Sequence, residues 1–159
     1  MTAEPVEVRI RRDDLTGEQS RALIARHLAG MHESSPPGSV RAVDADALGG
    51  MDVWSAWVGK RIAGVGALKV LDSSNAEIKS MRVADQFLRR GVARALLRHL
   101  VQEAKRQGIA AVWLETGRGP AFVPAHRLYA REGFVVSGPF GDYQDNAFSV
   151  FMTKTLETF

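Results

Sequence analysis

The sequence predicts a single domain of the α/β class, built on one mixed sheet of about seven strands with about four flanking helices. Strand-like and helix-like segments follow one another in the order strand, helices, three strands, helix, strand, helix and two strands. No repeat, low-complexity tract or linker interrupts that order. With 159 residues, 45% of them hydrophobic, the chain can bury one core. We therefore treat residues 1–159 as one domain with an ordered core over about 6–156.

The first third of the chain predicts a strand followed by helices. Residues 6–11 alternate apolar and charged side chains, as a strand does. A helix begins at residue 16 or 17 and continues to about Met31, because its apolar residues recur on one face. The adjacent prolines within 33–39 end that helix. A short helix is expected over 44–48, before two glycines.

The rest of the chain predicts a hairpin and then alternating strands and helices. Residues 53–58 and 62–70 form a hairpin around the sequence GKR, and 76–83 is the next strand. The apolar spacing after residue 92 predicts a helix that ends at Gly108. The remaining elements are a strand over 109–115, a helix over 124–132, and strands over 134–137 and 148–155.

The formal charge of +3 is concentrated in one segment of the chain. Residues 85–108 hold six basic and two acidic residues, and the remainder holds 15 basic and 16 acidic ones. That pattern favours one local anion site over a broad nucleic-acid surface. No apolar run reaches the roughly 18 residues that span a bilayer. We expect neither nucleic acid nor a membrane as a partner.

Cysteine is absent, which excludes disulfides, thiolate zinc sites and a cysteine nucleophile. The four histidines show no metal-binding spacing, so we predict no metal. The first residues include no apolar signal segment, so we expect a cytoplasmic protein.

Three arginines, Arg89, Arg90 and Arg94, surround the predicted start of the helix that follows residue 91. A helix N-terminus is already partly positive, so each cation there costs about 0.3–1 kcal/mol. A bound polyanion reverses that cost by accepting hydrogen bonds from the free N–H groups and pairing with the guanidinium groups. Gly91 and Ala93 would let it approach the backbone. The segment therefore predicts a phosphate site, the alternative being solvated surface arginines.

The kind of phosphate site is indicated by a resemblance. The segment lacks the Lys-Ser/Thr of a P-loop and the G-x-G-x-x-G of a dinucleotide fold. Residues 77–100, EIKSMRVADQFLRRGVARALLRHL, resemble the acetyl-coenzyme A motif of the GNAT superfamily of N-acetyltransferases, Arg/Gln-x-x-Gly-x-Gly/Ala. Gly91 and Ala93 match, whereas Leu88 occupies the first motif position.

A second segment also resembles that family. Residues 121–134, AFVPAHRLYAREGF, are similar to the motif Asn-x-x-Ala-x-x-Leu-Tyr-x-x-x-Gly-Phe. Phe122 stands where asparagine is usual, so an amide contact to the cofactor arm is expected to be missing. The resemblance covers residues 52–156 well and implies a mixed, mostly antiparallel sheet.

The resemblance implies an acyl-CoA-dependent N-acetyltransferase, with acetyl-CoA as co-substrate and a primary amine that attacks the thioester directly. Main-chain groups of the fourth strand would hold the pantetheine arm, and the arginine-rich loop would hold the pyrophosphate. The residues assigned to the cofactor are Met81, Arg82, Val83, Arg89, Arg90, Gly91, Val92, Ala93 and Arg94.

Three catalytic candidates follow from the same resemblance. Tyr129, at the Leu-Tyr position, would protonate the leaving thiolate; alone, it would be interpreted as a core residue. Glu77 would act as a base through water, or be a solvated strand end. Glu115 would hold or deprotonate a cationic acceptor, or cap a neighbouring helix.

The acceptor is the least determined part of this prediction. A small-molecule amine is expected; the alternatives are a protein or peptide amine and a catalytically silent CoA-binding sensor domain, and a homodimer stays open. Trp54 and Trp57 lie three apart on a strand and face opposite sides, so at most one lines the pocket. The full set of pocket candidates is His27, Met31, His32, Trp54, Trp57, Asp142 and Tyr143.

Overall fold

The structure is a computed structural model, and it describes residues 7–36 and 44–156. One seven-stranded sheet has the order β1-β2-β3-β4-β5-β7-β6. Its strands are β1 (Arg9–Arg12), β2 (Asp52–Val58), β3 (Arg61–Val70), β4 (Asn75–Val83), β5 (Ala111–Gly117), β6 (Val135–Ser137) and β7 (Ser149–Thr155). The helices are α1 (Glu18–Ser34), α2 (Val92–Arg106) and α3 (Val123–Arg131). The sheet is mixed and mostly antiparallel, as expected.

The parallel pair β4–β5 creates the opening that positions the site. Every other neighbouring pair in the sheet is antiparallel. Strands β4 and β5 pair only over Asn75–Glu77 and Ala111–Trp113. Beyond those residues β4 and β5 no longer pair with each other, and a cavity lies between their carboxyl ends. The sheet is therefore split at its centre, where a ligand can enter.

A β-bulge in β4 lies at the same point. Val65 of β3 pairs with Arg82, but Ala67 pairs with Lys79, so β4 carries an extra residue. Ser80, inside the bulge, has a φ of 56°, in the left-handed region. A bulge bends its strand and redirects the side chains that follow it. Here the bulge lies in the part of β4 that no longer pairs with β5.

The helices cover the two faces of the sheet. Helix α2 packs closely against β3, because a Cβ at Gly66 would lie only 2.9 Å from Leu100. Residues of β3 on the opposite face, including Val65, pack with Ile24 of α1. The buried side chains of α2 are Val92, Leu96, Leu97, Leu100 and Ala104.

The structure corrects the expected number of helices. Among the described residues there are three α-helices, and the segment expected as a fourth, 44–48, forms only a 3-10 turn at Ala47–Gly50. Its two glycines are poor helix formers, which limits it to one turn. Helix α1 continues to Ser34, past the expected end near Met31. Residues 6 and 37–39 of the predicted strand and loop lie outside the described residues.

The other expected elements are confirmed with small shifts at their ends. Gly108 follows α2 with a φ of 79°, and Gly133 follows α3 with a φ of 93°, as helix-ending glycines do. Strand β5 begins at Ala111, because Ile109 still donates to the helical carbonyl of Ala104 at 3.0 Å. In the part of the chain that the structure describes, every helix is too short or too polar to cross a membrane.

Candidate active site

A cavity of about 200 Å³ lies in the split between β4 and β5. Its wall includes all three predicted catalytic residues, Glu77, Glu115 and Tyr129. The first and the last of them are 52 positions apart in the sequence. Helix α1 contributes His27 to the same wall, and the loop between β6 and β7 contributes Tyr143. The tertiary structure thus brings together an acidic, a phenolic and an imidazole group around one small space.

Glu77 is buried, with 3% of its surface exposed, so the alternative of a solvated strand end is wrong. It is the third residue of β4, a strand enclosed by β3 and β5. Its Oε2 accepts a hydrogen bond from the Tyr143 hydroxyl at 2.5 Å. The Nζ of Lys79 lies 3.4 Å from the same oxygen and donates to the Tyr143 hydroxyl at 2.8 Å. A buried carboxylate requires such partners, because desolvation of a lone charge is costly.

Lys79 was missed by the sequence analysis, although a signal was present. It lies two residues after Glu77 on a strand, so both side chains project from the same face before the bulge. Tyr143 was expected in the acceptor pocket, and the structure also places it on Glu77. Because that contact joins residues 66 positions apart, local spacing contained no indication of it.

Glu115 is half-buried on β5, and its Oε2 accepts a hydrogen bond from the Ser149 hydroxyl at 2.7 Å. Ser149 is itself fixed, since Asn146 accepts from its backbone N–H at 2.8 Å and donates to its hydroxyl at 2.9 Å. The carboxylate is therefore oriented from β7, the strand beside β5. This arrangement suits a charge that holds a cationic group in the cleft.

Tyr129 lies in α3, half-buried on the side of the sheet that α2 covers. Its ring packs against Phe134, with centroids 5.9 Å apart. Among the described residues, nothing hydrogen-bonds its hydroxyl. Burial raises the pKa of Tyr129 to about 12, because the phenolate loses solvation. The phenol is therefore protonated at neutral pH and can donate a proton or a hydrogen bond.

Phe122, which replaces the usual asparagine, gives the cleft an aromatic wall instead of an amide. It is buried and packs edge-on against Phe148, with ring centroids 5.6 Å apart. Gly117 makes room for both rings, since a Cβ there would lie 2.6 Å from each. Phe122 thus packs against Phe148 and Gly117 beside the end of β5.

His27 and Ser80 bring unsatisfied polar atoms to the cleft. The Nδ1 of His27 and the Oγ of Ser80 are buried and have no hydrogen-bond partner among the described residues. Burial lowers the pKa of His27 to about 4, and the nearby charge of Arg82 adds to that effect. His27 is therefore neutral at pH 7. Unpaired buried polar atoms in a cavity wall favour a polar ligand.

The depressed pKa of His27 predicts a pH-dependent stability. The unfolded chain takes up a proton near pH 6.5 and the folded one only near pH 4, so stability falls by about 3 kcal/mol as pH drops through that window. Above pH 6.5 His27 is neutral in both the folded and the unfolded chain, so none of this stability is lost. Urea unfolding at pH 7.5 and pH 4.5 measures it, with His27→Gln as the control that lacks the effect. Equal pH dependence of the two proteins would contradict it.

The predicted phosphate site is an open helix terminus. Gly91 caps the start of α2 with a φ of 83°, and the first turn has neither an acidic residue nor a side-chain cap. A Cβ built at Gly91 meets nothing within 4 Å. Arg89 also has a left-handed φ, 62°, so the loop turns tightly before the helix. Free N–H groups in open space, with cations beside them, are what a pyrophosphate needs.

The three arginines around the start of α2 are available to an anion. Within residues 7–36 and 44–156, no carboxylate forms an ion pair with Arg89, Arg90 or Arg94. Further along α2, by contrast, Arg98 pairs with Glu132 and Arg106 with Glu103. Arg94 lies near enough to Glu132 to help lower the pKa of that carboxyl, but within the described residues it forms no close ion pair with it.

Replacing Arg89 and Arg90 with alanine is expected to weaken acetyl-CoA binding by about 10- to 100-fold, since hydrogen bonds to charged groups contribute about 1.5–3 kcal/mol. The loss should be largest at low salt. Calorimetry measures it, with Arg106→Ala at the opposite end of α2 as the matched control. Affinity should not change in EDTA. An unchanged affinity of the double variant would exclude the arginines from the site.

The fourth strand offers the expected surface for the pantetheine arm. Past Glu77, the edge of β4 that faces β5 has no strand partner, so the main chain of Met81–Val83 is open on that side. The side chains have other contacts: Met81 packs beside Gly66, and the guanidinium of Arg82 lies against Gly30 of α1. The residues assigned to the cofactor thus fit it through the backbone of β4 and the start of α2.

The acceptor candidates separate into two groups. His27, Met31 and Tyr143 line the cleft. Neither tryptophan does: Trp54 packs on His99 of α2, with ring centroids 4.4 Å apart, and Trp57 lies under Arg11 on the other face. The remaining two candidates, His32 and Asp142, line other cavities. The cavity that Asp142 lines has a volume of about 800 Å³, and Glu77 and Tyr143 line both this cavity and the cleft.

Among the described residues, no cluster of three or more histidine or acidic side chains could hold a metal ion.

Comparison with known proteins identifies the family. The model of the acetyltransferase (GNAT) family matches residues 21–134. The chain is 46% identical over 149 residues to "Uncharacterized N-acetyltransferase YsnE" of Bacillus subtilis, covering 92% of this chain and 99% of that protein.

Solved structures agree on the fold. An acetyltransferase from Streptococcus agalactiae is 16% identical, with a TM-score of 0.74 over 94% of this chain and 98% of that one. A GNAT family acetyltransferase from Elizabethkingia anophelis with acetyl-CoA bound is 17% identical, with a TM-score of 0.67 over the same shares. By its family match and its relative, this chain belongs to the GNAT acetyltransferase family and is an acyl-CoA-dependent N-acyltransferase.

Proposed function

We propose that this enzyme transfers the acetyl group of acetyl-CoA to a primary amine of a small molecule. The observation that carries the proposal is the small cleft, about 200 Å³, whose wall holds two carboxylates and a protonated phenol. Helix α1 and the β6–β7 loop both contribute to that wall, which limits the space for a polypeptide. A small amine fits this space better than a peptide segment does.

The binding of acetyl-CoA is assigned to the start of α2 and to the open edge of β4, where Met81 and Arg82 also line the cleft. Arg89, Arg90 and Arg94, with the N–H groups at the start of α2, would hold the pyrophosphate. The open edge of β4 at Met81–Val83 would hydrogen-bond the pantetheine arm. When bound, acetyl-CoA supplies the thioester carbonyl that the amine attacks. The absence of cysteine supports direct transfer without a thioester-linked enzyme.

The base is assigned to Glu77. An ammonium group has no lone pair, so a proton must leave before attack. Glu77 lines both the cleft and the larger cavity beside it, so an amine that enters through either one meets its carboxylate. Glu115, oriented by Ser149, is assigned to hold the cationic amine in place. Two carboxylates therefore divide the tasks of recognition and deprotonation.

The acid is assigned to Tyr129. An alkyl thiol has a pKa of about 8.5, and that of Tyr129 is about 12, so proton transfer to a solvated thiolate would be uphill by about 5 kcal/mol. The same desolvation that holds the proton on the phenol also destabilises a thiolate inside the cleft. The difference in proton affinity is then smaller, and a hydrogen bond from Tyr129 stabilises the leaving sulfur.

The proposal is tested by acetyl-CoA turnover with a panel of acceptors, measured as release of free thiol. Small amines and amino acids are compared with short peptides that begin with the same residues. The expected result is faster turnover of at least one small amine than of its matched peptide. Turnover of peptides alone would identify a peptide acetyltransferase. Tight acetyl-CoA binding without turnover of either class would identify a sensor domain.

A further inference from the structure

We infer that Tyr143, together with Lys79, is a positioning residue for Glu77, holding one oxygen of its carboxylate so that the other one takes the proton. The inference rests on the proposed function, in which Glu77 is the base. Tyr143 donates to Oε2 of Glu77. Among the described residues, nothing donates to Oε1. The two oxygens of one buried carboxylate therefore have different environments and different roles.

The hydrogen bonds around Oε2 reinforce one another. The Tyr143 hydroxyl accepts from Lys79 at 2.8 Å and donates to Glu77 at 2.5 Å. A phenol whose oxygen accepts from an ammonium group is polarised and becomes a stronger donor. The side chains of Glu77 and Lys79 are only 4% and 12% exposed, so water competes little with this network. Oε2 is thereby kept as an acceptor.

The position of Tyr143 is fixed by aromatic packing. Its ring lies 5.0 Å from that of Phe140 and 5.7 Å from that of Phe151, between centroids. Phe140 in turn packs on Trp113 of β5, the residue paired with Glu77. The backbone N–H of Tyr143 also donates to the carbonyl of Phe140 at 3.1 Å. A loop residue anchored in this way can orient a partner, because its own rotamer is restricted.

The location of the pair connects it to the acceptor. Glu77 and Tyr143 line both the cleft and the adjoining cavity of about 800 Å³. They therefore form part of the wall between the two spaces. An amine that passes from the larger cavity into the cleft contacts the pair, and the carboxylate must already be oriented when it arrives. Such preorganisation is where a positioning residue contributes to rate.

The Tyr143→Phe variant removes the hydroxyl and keeps the ring among its aromatic neighbours. Glu77 then retains only Lys79, 3.4 Å away, as a partner in this network. We expect kcat to fall about tenfold, the effect of one hydrogen bond to a charged group. The KM for acetyl-CoA should not change, because the start of α2 and the open edge of β4 are intact. The melting temperature shows whether the variant is folded.

A double-mutant cycle separates positioning from a structural role. Glu77→Gln is expected to lower kcat about 100-fold, as loss of a general base does. If Tyr143 acts through Glu77, the double variant loses no more than Glu77→Gln alone. Losses that multiply to about 1,000-fold, or full turnover of Tyr143→Phe, would overturn the inference. The reaction rate without enzyme is measured as well, because a double variant that has already reached this background rate could not show a further loss.

Failure of the inference and failure of the proposed base are distinguishable in the same cycle. Wild-type turnover by Glu77→Gln would remove Glu77 as the base, and the inference with it. A large loss in Glu77→Gln combined with multiplying losses in the double variant would leave the base assignment intact and overturn only the role of Tyr143.

Discussion

Replacing Gly91 with glutamate is expected to abolish acetyl-CoA binding while the protein stays folded. Gly91 has a φ of 83°, so any other residue there costs about 1–2 kcal/mol in backbone strain. That is small beside a typical stability of about 5–15 kcal/mol. The new side chain meets open space, since no atom lies within 4 Å of a Cβ at this position. Its carboxylate would occupy the space and reverse the charge that a pyrophosphate needs.

Calorimetric titration with acetyl-CoA measures this effect, and circular dichroism confirms the fold. Gly91→Ala is the matched control, because it imposes the same backbone strain without the charge or the length. It should bind with a modest loss. Normal binding by Gly91→Glu would place the pyrophosphate elsewhere, and an unfolded variant would show that Gly91 is needed for its backbone angle.

Replacing Tyr129 with phenylalanine is expected to lower turnover by about 10²–10⁴-fold, near the lower end, while acetyl-CoA binding persists. The ring would still pack against Phe134, because only the hydroxyl is lost. A thiol leaves moderately well without a proton, which limits the loss. The high pKa of Tyr129, about 12, also limits the expected loss of turnover, since the phenol donates a hydrogen bond more readily than a whole proton.

The measurement is kcat and acetyl-CoA affinity in parallel, with an acceptor confirmed by the panel. A fall in kcat at unchanged affinity identifies an interaction made during the reaction. Full turnover would leave water as the proton source. Lost affinity with an intact fold would mean that the hydroxyl holds the cofactor.

The sequence predicted best those parts of the protein that are determined by interactions between residues close together in the chain. The helix that follows Gly91, the arginines around its start and the glycines after α2 and α3 depend on contacts between neighbouring residues. The order of the seven strands along the chain could be predicted for the same reason, since alternation and turn residues are short-range patterns. The resemblance to the GNAT family then supplied the arrangement of those strands in one sheet.

The left-handed backbone at Ser80 and Arg89 was not predictable, because neither residue type favours it. Tertiary packing imposes those conformations where β4 bulges and where the loop turns before α2. The bulge matters for the site, because it lies where β4 separates from β5. The missing fourth helix has a simpler cause, since the two glycines in Ala47–Gly50 weaken that segment.

By itself, the sequence predicted the seven strands and an anion site at the start of α2, and its resemblance to the GNAT family made Tyr129, Glu77 and Glu115 candidates. Only the tertiary structure decided that Glu77 is buried and that Tyr143 and Lys79 hold it. It also decided that neither Trp54 nor Trp57 reaches the cleft. The physical reason is distance along the chain: the hydroxyl on Glu77 comes from 66 residues away, and such contacts depend on how whole strands and loops pack.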